Sequence, residues 1–340
     1  MSKVITFGEI MLRLSTSGNL RFSQAKEFRT HYGGGEYNVA VSLANYGVDT
    51  EFVTRLPDNP LGDTCMAEIR RNKVGTSQIL KGGDRLGLYF LEIGAGLRSS
   101  SVVYDRAQSA FSQIRPGMVD WKAVFKGATW FHWSGVTPAV SQSAADACLE
   151  AVKTAHEMGL TISADLNYRS KLWKYGKHPN AVMPKLLKYS NVILGDLDTA
   201  FFMLGEKPCD PDYSDLKSLP ELYNRLAGFC PHLNYTATSL RYSVSASHQK
   251  IGGIIYDGKK VFSSPVREVT HVVDRVGSGD AFMGGLIYGL ISDKNNPKHA
   301  LDLAVAACCL KHTIDGDFNL ISVEEMEKFA SGDGSGKVAR

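Results

Sequence analysis

Short apolar runs alternate with longer stretches of helical periodicity along most of the chain. A short apolar run is typical of a buried strand, and apolar residues three to four positions apart indicate one face of a helix. Strands are predicted at 4–7, 51–54, 129–133, 160–164 and 191–194, and helices at 38–46, 61–72 and 141–158. Because strands and helices alternate, the pattern predicts an α/β fold with a parallel sheet covered by helices.

Three parts of the chain depart from this alternation. Segments 12–32 and 86–110 are polar or alternating, as in strands with one wet face. The pattern alone favours two independent surface hairpins, although the two segments can also pair into one small sheet over the main domain. The pattern in segment 242–262 predicts short antiparallel strands with a turn at Asp257-Gly258. Two further helices are predicted at 279–292 and 297–312.

Composition and charge narrow the class of protein. The 340 residues include 38 Lys and Arg and 35 Asp and Glu, for a formal charge of +3. This balance argues against a dedicated nucleic-acid binder, which concentrates basic residues on one face. The uncharged run at 281–292 is too short to span a bilayer, and residues 1–9 lack the long apolar core of a signal peptide. We therefore expect a cytoplasmic protein with no nucleic-acid or membrane partner.

The six cysteines show no metal-binding or redox spacing. Cys308 and Cys309 are adjacent and the other four stand far apart, so no C-x-x-C pair and no zinc pattern occurs. We expect reduced and mostly buried thiols.

The strongest chemical signal is a glycine-rich run, Gly277-Ser278-Gly279, directly before Asp280 and an apolar helix. Small residues at a helix N-terminus let backbone amides approach an anion, and the helix dipole favours negative charge there. A carboxylate at the same place can take a proton from an attacking hydroxyl. A plain turn with Asp280 as the N-cap explains the run equally well. The chain has no G-x-x-x-x-G-K-[ST] and no G-x-G-x-x-G after its first strand, which argues against P-loop NTPases and nicotinamide dehydrogenases.

Two motifs together resemble a known family. Segment 274–282, which contains the glycine-rich run, resembles the C-terminal signature of ribokinase-like (PfkB-type) carbohydrate kinases, and segment 33–40 resembles their N-terminal signature. The resemblance implies a three-layer α/β/α sandwich with a mostly parallel central sheet and a small β-sheet lid. The implied core consists of 1–11, 33–85 and 111–330, the lid over the sugar site of 12–32 and 86–110, and a flexible tail of 331–340.

Five further stretches resemble the members of this family that phosphorylate 2-keto-3-deoxygluconate. They are 7–14, 87–92, 103–107, 165–173 and 310–318. The resemblance implies transfer of phosphate from ATP, with Mg²⁺, to the terminal hydroxyl of this sugar acid. A sugar acid carries a carboxylate, which a guanidinium grips with two N–H groups, and Arg106 and Arg169 are the candidates. Base rates alone favour exposed surface ion pairs for both arginines.

The family resemblance also implies roles for individual residues. Asp280 is the general base, and the amides of Gly277, Ser278 and Gly279 form the hole for the transferred phosphoryl group. The substrate-binding residues are Gly33, Gly34, Gly35, Asn38, Tyr89, Tyr104, Arg106, Arg169, Asp280 and Asp317. The nucleotide-binding residues are Asn167, Arg169, Ser239, Arg241, Gly277 and Gly279. Two of these have plain alternatives, because Asn38 can satisfy backbone at a helix start and Asp317 can be an ordinary turn aspartate.

One motif departs from the family. Where the family commonly has N-x-x-E, which helps to order magnesium through water, this chain has Gly195-Asp196-Leu197-Asp198. Asp196 and Asp198 are still acidic but differ in position and length from the family residues, and the implied contact with magnesium is through water. A kinase with weakened activity is therefore an open alternative. The open alternatives are a fructose, ribose or nucleoside kinase, and a sugar-acid-binding protein that has lost phosphoryl transfer. A lid strand that pairs with its own copy predicts a homo-oligomer.

Overall fold

A computed structural model describes residues 2–333 of the chain. Its strands are β1 (Lys3–Phe7), β2 (Met11–Thr16), β3 (Phe28–Gly33), β4 (Asp49–Leu56), β5 (Ile79–Lys81), β6 (Gly87–Glu92), β7 (Ser101–Asp105), β8 (Trp130–Ser134), β9 (Thr161–Asp165), β10 (Val192–Leu194), β11 (Tyr235–Ser245), β12 (His248–Tyr256), β13 (Val261–Ser263) and β14 (Arg267–Val269). Its helices are α1 (Gly35–Asn45), α2 (Pro60–Arg71), α3 (Trp121–Val124), α4 (Val136–Val140), α5 (Gln142–Glu157), α6 (Pro179–Leu187), α7 (Leu197–Leu204), α8 (Leu219–Ala227), α9 (Ser278–Ser292), α10 (Pro297–Lys311) and α11 (Val323–Ala330).

The central sheet has the order β13-β12-β11-β10-β9-β8-β1-β4-β5, and β14 also pairs with β12. All pairs from β5 to β11 are parallel, whereas β12 is antiparallel to its three neighbours. The predicted α/β fold is therefore confirmed. The predicted antiparallel segment is also present, with its expected turn after β12, but it begins earlier and includes a second turn at Ala246-Ser247.

Helices cover both faces of this sheet. Along β1, Ile5 packs into one apolar cluster with α5 and α7, whereas the adjacent Val4 packs into another with α1, α9 and α10. Neighbouring strand residues point to opposite faces, so a core on each side gives three layers. Helix α9 is held closely against α10, because a Cβ added at Gly289 would lie 2.5 Å from the Cα of Ala300. This packing fixes the direction in which the first turn of α9 points.

A second, four-stranded sheet has the order β3-β2-β6-β7. Its two hairpins are joined by parallel pairing of β2 with β6, in which Leu12 lies beside Leu88 and Ser15 beside Leu91. The small sheet that the family resemblance implies is therefore confirmed, and the two independent hairpins that the pattern alone favours are wrong. The reason is burial: Arg13 of β2 and Tyr89 of β6 are covered by the rest of the molecule, and a lone hairpin cannot cover them.

The remaining predictions have mixed outcomes. All six cysteines are unpaired thiols, and five of them are buried. Within residues 2–333, no helix combines the length and the apolar composition needed to cross a bilayer. Most of the predicted tail, from residue 334 onward, lies outside the described residues.

Candidate active site

A cavity of about 1090 Å³ lies between the carboxyl ends of the central parallel strands and the small sheet. Ligands of open α/β sheets bind at this edge of the strands, and the volume is enough for two small substrates. Most of the predicted site residues line it, namely Gly34, Gly35, Asn38, Tyr89, Tyr104, Arg106, Asn167, Arg169, Asp196, Ser239, Arg241, Gly277, Ser278, Gly279, Asp280 and Asp317. Two predicted residues, Gly33 and Asp198, do not line the cavity.

Residues 277–279, here called the glycine loop, turn the chain into α9. Gly277 precedes the helix with a φ of 78°, a left-handed conformation that favours glycine. A Cβ at this position would also lie 1.9 Å from the backbone oxygen of Asp317. The Ser278 amide donates to the Arg275 backbone oxygen at 3.3 Å, whereas a Cβ at Gly279 would meet no atom within 4 Å. The backbone at Gly279 is therefore open to the cavity at the start of a helix, which suits an anion.

Asp280 lies in the first turn of α9. The alternative in which Asp280 is the N-cap of a plain turn is wrong, because the N-cap position is held by Gly277, which has no side chain that could cap the helix. Instead, Asn38 Nδ2 donates to Asp280 Oδ2 at 2.7 Å. Burial raises the pKa of Asp280 to about 6, although the Asn38 hydrogen bond and the charge of Arg169 lower it. The carboxylate is ionised at neutral pH and basic enough to accept a proton.

A second acid, Asp165, begins segment 165–173 but was not predicted as a site residue. It ends β9 and lines the cavity, and its Oδ1 accepts a hydrogen bond from the Asn167 amide at 3.0 Å. Burial, and then the charge of Asp280, raises its pKa to about 7. The available signal was an acid at the carboxyl end of a predicted parallel strand, which is where such sites form.

Arg106 is not a surface residue. Its Nε donates to Glu9 Oε2 at 2.8 Å and its Nη2 contacts the same oxygen, with only 7% of the arginine side chain exposed. The guanidinium also lies over the Tyr104 ring, 5.9 Å from the centroid. Glu9 was not predicted as a site residue. Because one edge of the guanidinium is occupied by Glu9, the Nη1 end is the part left for a ligand.

Asp317 is buried rather than placed at a surface turn. It accepts hydrogen bonds from Arg13 Nη1 at 2.8 Å and from the Tyr89 hydroxyl at 2.5 Å. A Cβ at Gly33 would lie 2.0 Å from Asp317 Oδ2, so Gly33 contacts this carboxylate instead of the cavity. Arg13 lies in segment 7–14 but was not predicted as a site residue, because both of its carboxylate partners are more than 250 positions away in the chain.

Three arginines surround the glycine loop. Arg169, Arg241 and Arg275 all line the cavity, and none of them forms an ion pair within the part of the chain that the structure describes. Arg241 Nη2 donates to Ser278 Oγ at 2.7 Å. Burial, with the positive charges of Arg241 and Arg169, lowers the pKa of Arg275. Cations that lack a counter-charge in a cavity favour a multiply charged anion.

The acidic residues available for Mg²⁺ are fewer than expected. Asp196 lines the cavity, and its Oδ1 caps α7 by accepting from the Thr199 amide at 2.8 Å. Asp198 is exposed outside the cavity. Among residues 2–333, no group of three or more His, Cys, Asp or Glu is placed to hold a metal ion. A single carboxylate fits a hydrated Mg²⁺ that is held mainly by substrate phosphates.

Comparison with known proteins agrees with this geometry. One curated relative, a 2-dehydro-3-deoxygalactonokinase of Haloferax volcanii, is 32% identical over 98% of each chain. Another, a 2-dehydro-3-deoxygluconokinase of Thermoproteus tenax, is 27% identical over 93% of this chain and 90% of the relative. The crystal structure of a 2-dehydro-3-deoxygluconokinase from Thermotoga maritima is 40% identical, with a TM-score of 0.91 over 97% of this chain and 98% of that one.

The family assignment follows from the whole chain. The profile of the pfkB family carbohydrate kinases matches residues 1–317, which include both sheets and the glycine loop. The chain belongs to the pfkB family of carbohydrate kinases and has its ribokinase-like α/β fold.

Proposed function

We propose that this kinase transfers the γ-phosphoryl group of ATP to the terminal hydroxyl of 2-keto-3-deoxygluconate (2-dehydro-3-deoxygluconate), giving 2-keto-3-deoxy-6-phosphogluconate and ADP. One observation carries the proposal: a single cavity contains a buried arginine on the small-sheet side and, around a helix N-terminus, three arginines that form no ion pair with any of residues 2–333. The first suits the carboxylate of a sugar acid, and the others suit the phosphates of a nucleotide. The names of the relatives from Thermotoga maritima and Thermoproteus tenax support the same substrate.

Asp280 is the general base of the proposed reaction. Its carboxylate takes the proton of the sugar's terminal hydroxyl as that oxygen forms a bond to the γ-phosphorus and the bond to the β–γ bridging oxygen breaks. Asn38 holds the carboxylate by its 2.7 Å hydrogen bond. The amides of Gly277, Ser278 and Gly279 meet the negative charge of the transferred group. Mg²⁺, when bound to the phosphates near Asp196, supplies further charge neutralisation.

The sugar acid lies against the small sheet in this proposal. Arg106 binds the carboxylate, beside Tyr89 and Tyr104, whose rings lie 6.3 Å apart. Gly34 and Gly35 both line the cavity, and Gly35 lies beside Asp280, since a Cβ on Gly35 would be 3.6 Å from Asp280 Oδ1. Gly33 supports this site from behind through its contact with Asp317, which lines the cavity and accepts a hydrogen bond from the Tyr89 hydroxyl.

The nucleotide phosphates lie on the other side of the cavity. Asn167 and Arg169 follow β9, and the Asn167 side chain lies near Asp280, because a Cβ on Gly35 would be 3.5 Å from Asn167 Nδ2. Ser239 and Arg241 on β11 contact the phosphates beside the glycine loop. This arrangement brings the γ-phosphoryl group to the general base.

The epimeric acid, 2-keto-3-deoxygalactonate, is the second candidate. The relative from Haloferax volcanii, which is named for that substrate, is 32% identical to this chain over nearly its whole length. Both acids present the same carboxylate to Arg106, so that arginine does not discriminate between them.

We also infer that the enzyme works in the cytoplasm and forms a homo-oligomer through the small sheet. Its unpaired thiols suit a reducing compartment. The outer strands β3 and β7 carry the exposed apolar side chains Phe28 and Val103, and pairing with a second copy would cover both the strand edges and these side chains.

A coupled assay of ADP release tests the substrate. The panel contains both keto-deoxy acids, fructose, ribose and a nucleoside, each with Mg²⁺-ATP. We expect turnover on at least one acid with a kcat/KM at least a hundredfold above every neutral compound. Turnover on fructose or ribose but on neither acid would overturn the proposed substrate, and binding without ADP release would indicate a protein that has lost transfer.

A further inference from the structure

Five residues form a continuous line of polar contacts through the interior. The Tyr89 hydroxyl donates to Asp317 Oδ2 at 2.5 Å, and Asp317 Oδ1 accepts from Arg13 Nη1 at 2.8 Å. Arg13 Nη2 donates to Asp274 Oδ2 at 2.6 Å, and Asp274 Oδ1 accepts from the Val276 amide at 3.0 Å. These five residues are called the relay. It leads from the lining of the cavity on the small-sheet side to the residue that precedes the glycine loop.

The relay connects the small sheet with the segment of the main domain that leads into α9. Tyr89 and Arg13 belong to β6 and β2 of the small sheet, whereas Asp274 and Val276 lie directly before α9. Arg13 is fully buried and has no contact with the cavity. Its guanidinium grips two carboxylates at once with the fork geometry that a lysine lacks. The orientation of the glycine loop and the position of the small sheet therefore depend on the same side chain.

Electrostatics makes the relay sensitive to displacement. Burial disfavours the charge of Arg13, yet Asp317 and Asp274 raise the pKa of the guanidinium. Lys311 adds a second buried cation, with Nζ donating to the backbone oxygens of Asp274 and Ile314 at 3.3 and 3.0 Å. Two carboxylates and two cations balance only while they stay together. Such a group is a poor source of stability compared with apolar packing, and its best-attested use is to specify one arrangement.

We propose that Arg13 is a positioning residue that couples the two substrates: a carbohydrate that holds Tyr89 in place also holds the glycine loop in the orientation that binds the donor phosphates. By linkage, the nucleotide then strengthens carbohydrate binding by the same factor. The inference rests on the proposed function only in placing the carbohydrate beside Tyr89 and the phosphates beside the glycine loop.

Calorimetry on the full chain tests the coupling. The probe is a non-hydrolysable ATP analogue, adenylyl imidodiphosphate, with Mg²⁺, titrated with and without the carbohydrate that the wild-type enzyme phosphorylates best. We expect the carbohydrate to tighten analogue binding at least fivefold in the wild type, and this ratio to fall to nearly one in Arg13→Lys. Arg55→Lys is the matched control, because Arg55 sits on the central strand β4 and bonds to the Ala110 backbone outside the cavity. It should keep the wild-type ratio.

Three results would overturn the coupling: no tightening in the wild type, an unchanged ratio in Arg13→Lys, or an equal loss in Arg55→Lys. If Arg13→Lys fails to fold, Tyr89→Phe removes only the hydroxyl that reaches Asp317 and should abolish the ratio in the same way. Failure of the proposed substrate is a separate result, because it appears as wild-type turnover on a neutral sugar, and the ratio is then measured with that sugar.

Discussion

The arginines at the two sides of the cavity differ in their partners. Arg106, on the small-sheet side, is held by Glu9 in a buried ion pair. Arg241 and Arg275, beside the glycine loop, have no carboxylate of residues 2–333 within ion-pair distance. A paired guanidinium is oriented before a ligand arrives, and it offers only its free end. An unpaired cluster offers its full charge and suits a ligand with several negative charges. The molecule therefore separates selectivity on one side from charge neutralisation on the other.

Replacing Asp280 should have the largest effect, because the sugar acid bound on one side and the phosphates bound on the other react only when this carboxylate accepts the proton. Asp280→Asn keeps the shape and the contact with Asn38 but cannot accept a proton, so kcat should fall by a factor of about 100 to 10,000 with little change in substrate binding. The measurement is steady-state kinetics with calorimetry of both substrates. A variant with more than a tenth of wild-type kcat would contradict the assignment.

The same substitution has a stability consequence. The pKa of Asp280 is raised to about 6 in the folded chain, so the folded chain holds the proton more tightly than the unfolded chain, and the stability contributed by the proton is lost as pH rises through about 6. Asp280→Asn removes this penalty, and its Tm at pH 8 should exceed that of the wild type. At pH 4 the difference should vanish.

Removing Arg106, the arginine that is paired with Glu9 on the small-sheet side, should weaken binding of the sugar acid selectively. Arg106→Met removes the guanidinium that we assign to the substrate carboxylate, so the KM for the sugar acid should rise at least thirtyfold while the KM for ATP stays within about threefold. Glu9→Gln should raise the same KM less, about threefold to tenfold, because the arginine remains but is held less firmly. An equal rise in the KM for ATP in Arg106→Met would show that the two sides are not separate.

Removing an arginine beside the glycine loop should instead weaken binding of the nucleotide selectively. Arg275→Met removes one of three cations around the glycine loop, and the KM for Mg²⁺-ATP should rise about tenfold with the KM for the sugar acid unchanged. Arg115→Met, at an exposed arginine outside the cavity, is the control and should leave both constants unaltered. A loss of sugar-acid affinity in Arg275→Met would argue against a phosphate role.

The pH dependence of kcat/KM tests Asp280, the carboxylate that lies between the two sides of the cavity. Since the general base acts only when ionised, kcat/KM should rise with pH through about 6, the raised pKa of Asp280, and be level above pH 7.5. Below the pKa the rate should fall about tenfold per pH unit. A profile that is flat between pH 5 and 8 would exclude Asp280 as the base.

The smallest effect separates two acids that look equivalent in the sequence. Asp196 lines the cavity and Asp198 does not, so Asp196→Asn should raise the Mg²⁺ concentration needed for half-maximal rate by about threefold, and Asp198→Asn should not change it. The measurement is a Mg²⁺ titration at fixed ATP. Equal responses would mean that neither carboxylate interacts with the ion.

The chemistry that lies close together in the chain was predictable from the sequence. The glycine loop and Asp280 occupy four consecutive positions, and the helix that follows them has a clear apolar pattern, so local signals identify both. The strand and helix order was likewise readable from periodicity, which predicted the α/β fold. Asp280 as an N-cap was wrong because the left-handed Gly277 takes that position.

What escaped prediction depends on contacts between distant parts of the chain. Arg13 and Asp317 are 304 positions apart, and Glu9 and Arg106 are 97 apart, so no local pattern marks either ion pair. The parallel register of β2 with β6 escaped for the same reason. Arg275 lies inside the recognised segment 274–282, yet only the fold shows that it shares a cavity with Arg169 and Arg241.

The parallel alignment of β2 with β6 and the long-range contact from Arg13 to Asp317 also constrain biosynthesis. During translation β2 leaves the ribosome early, but its parallel neighbour β6 is made about 75 residues later and the carboxylate partner Asp317 some 300 residues later. The Arg13 guanidinium of the nascent chain therefore has neither of its carboxylate partners until synthesis is almost complete. We expect β2 to reach its final position only after the segment that contains Asp274 and Asp317 has been made.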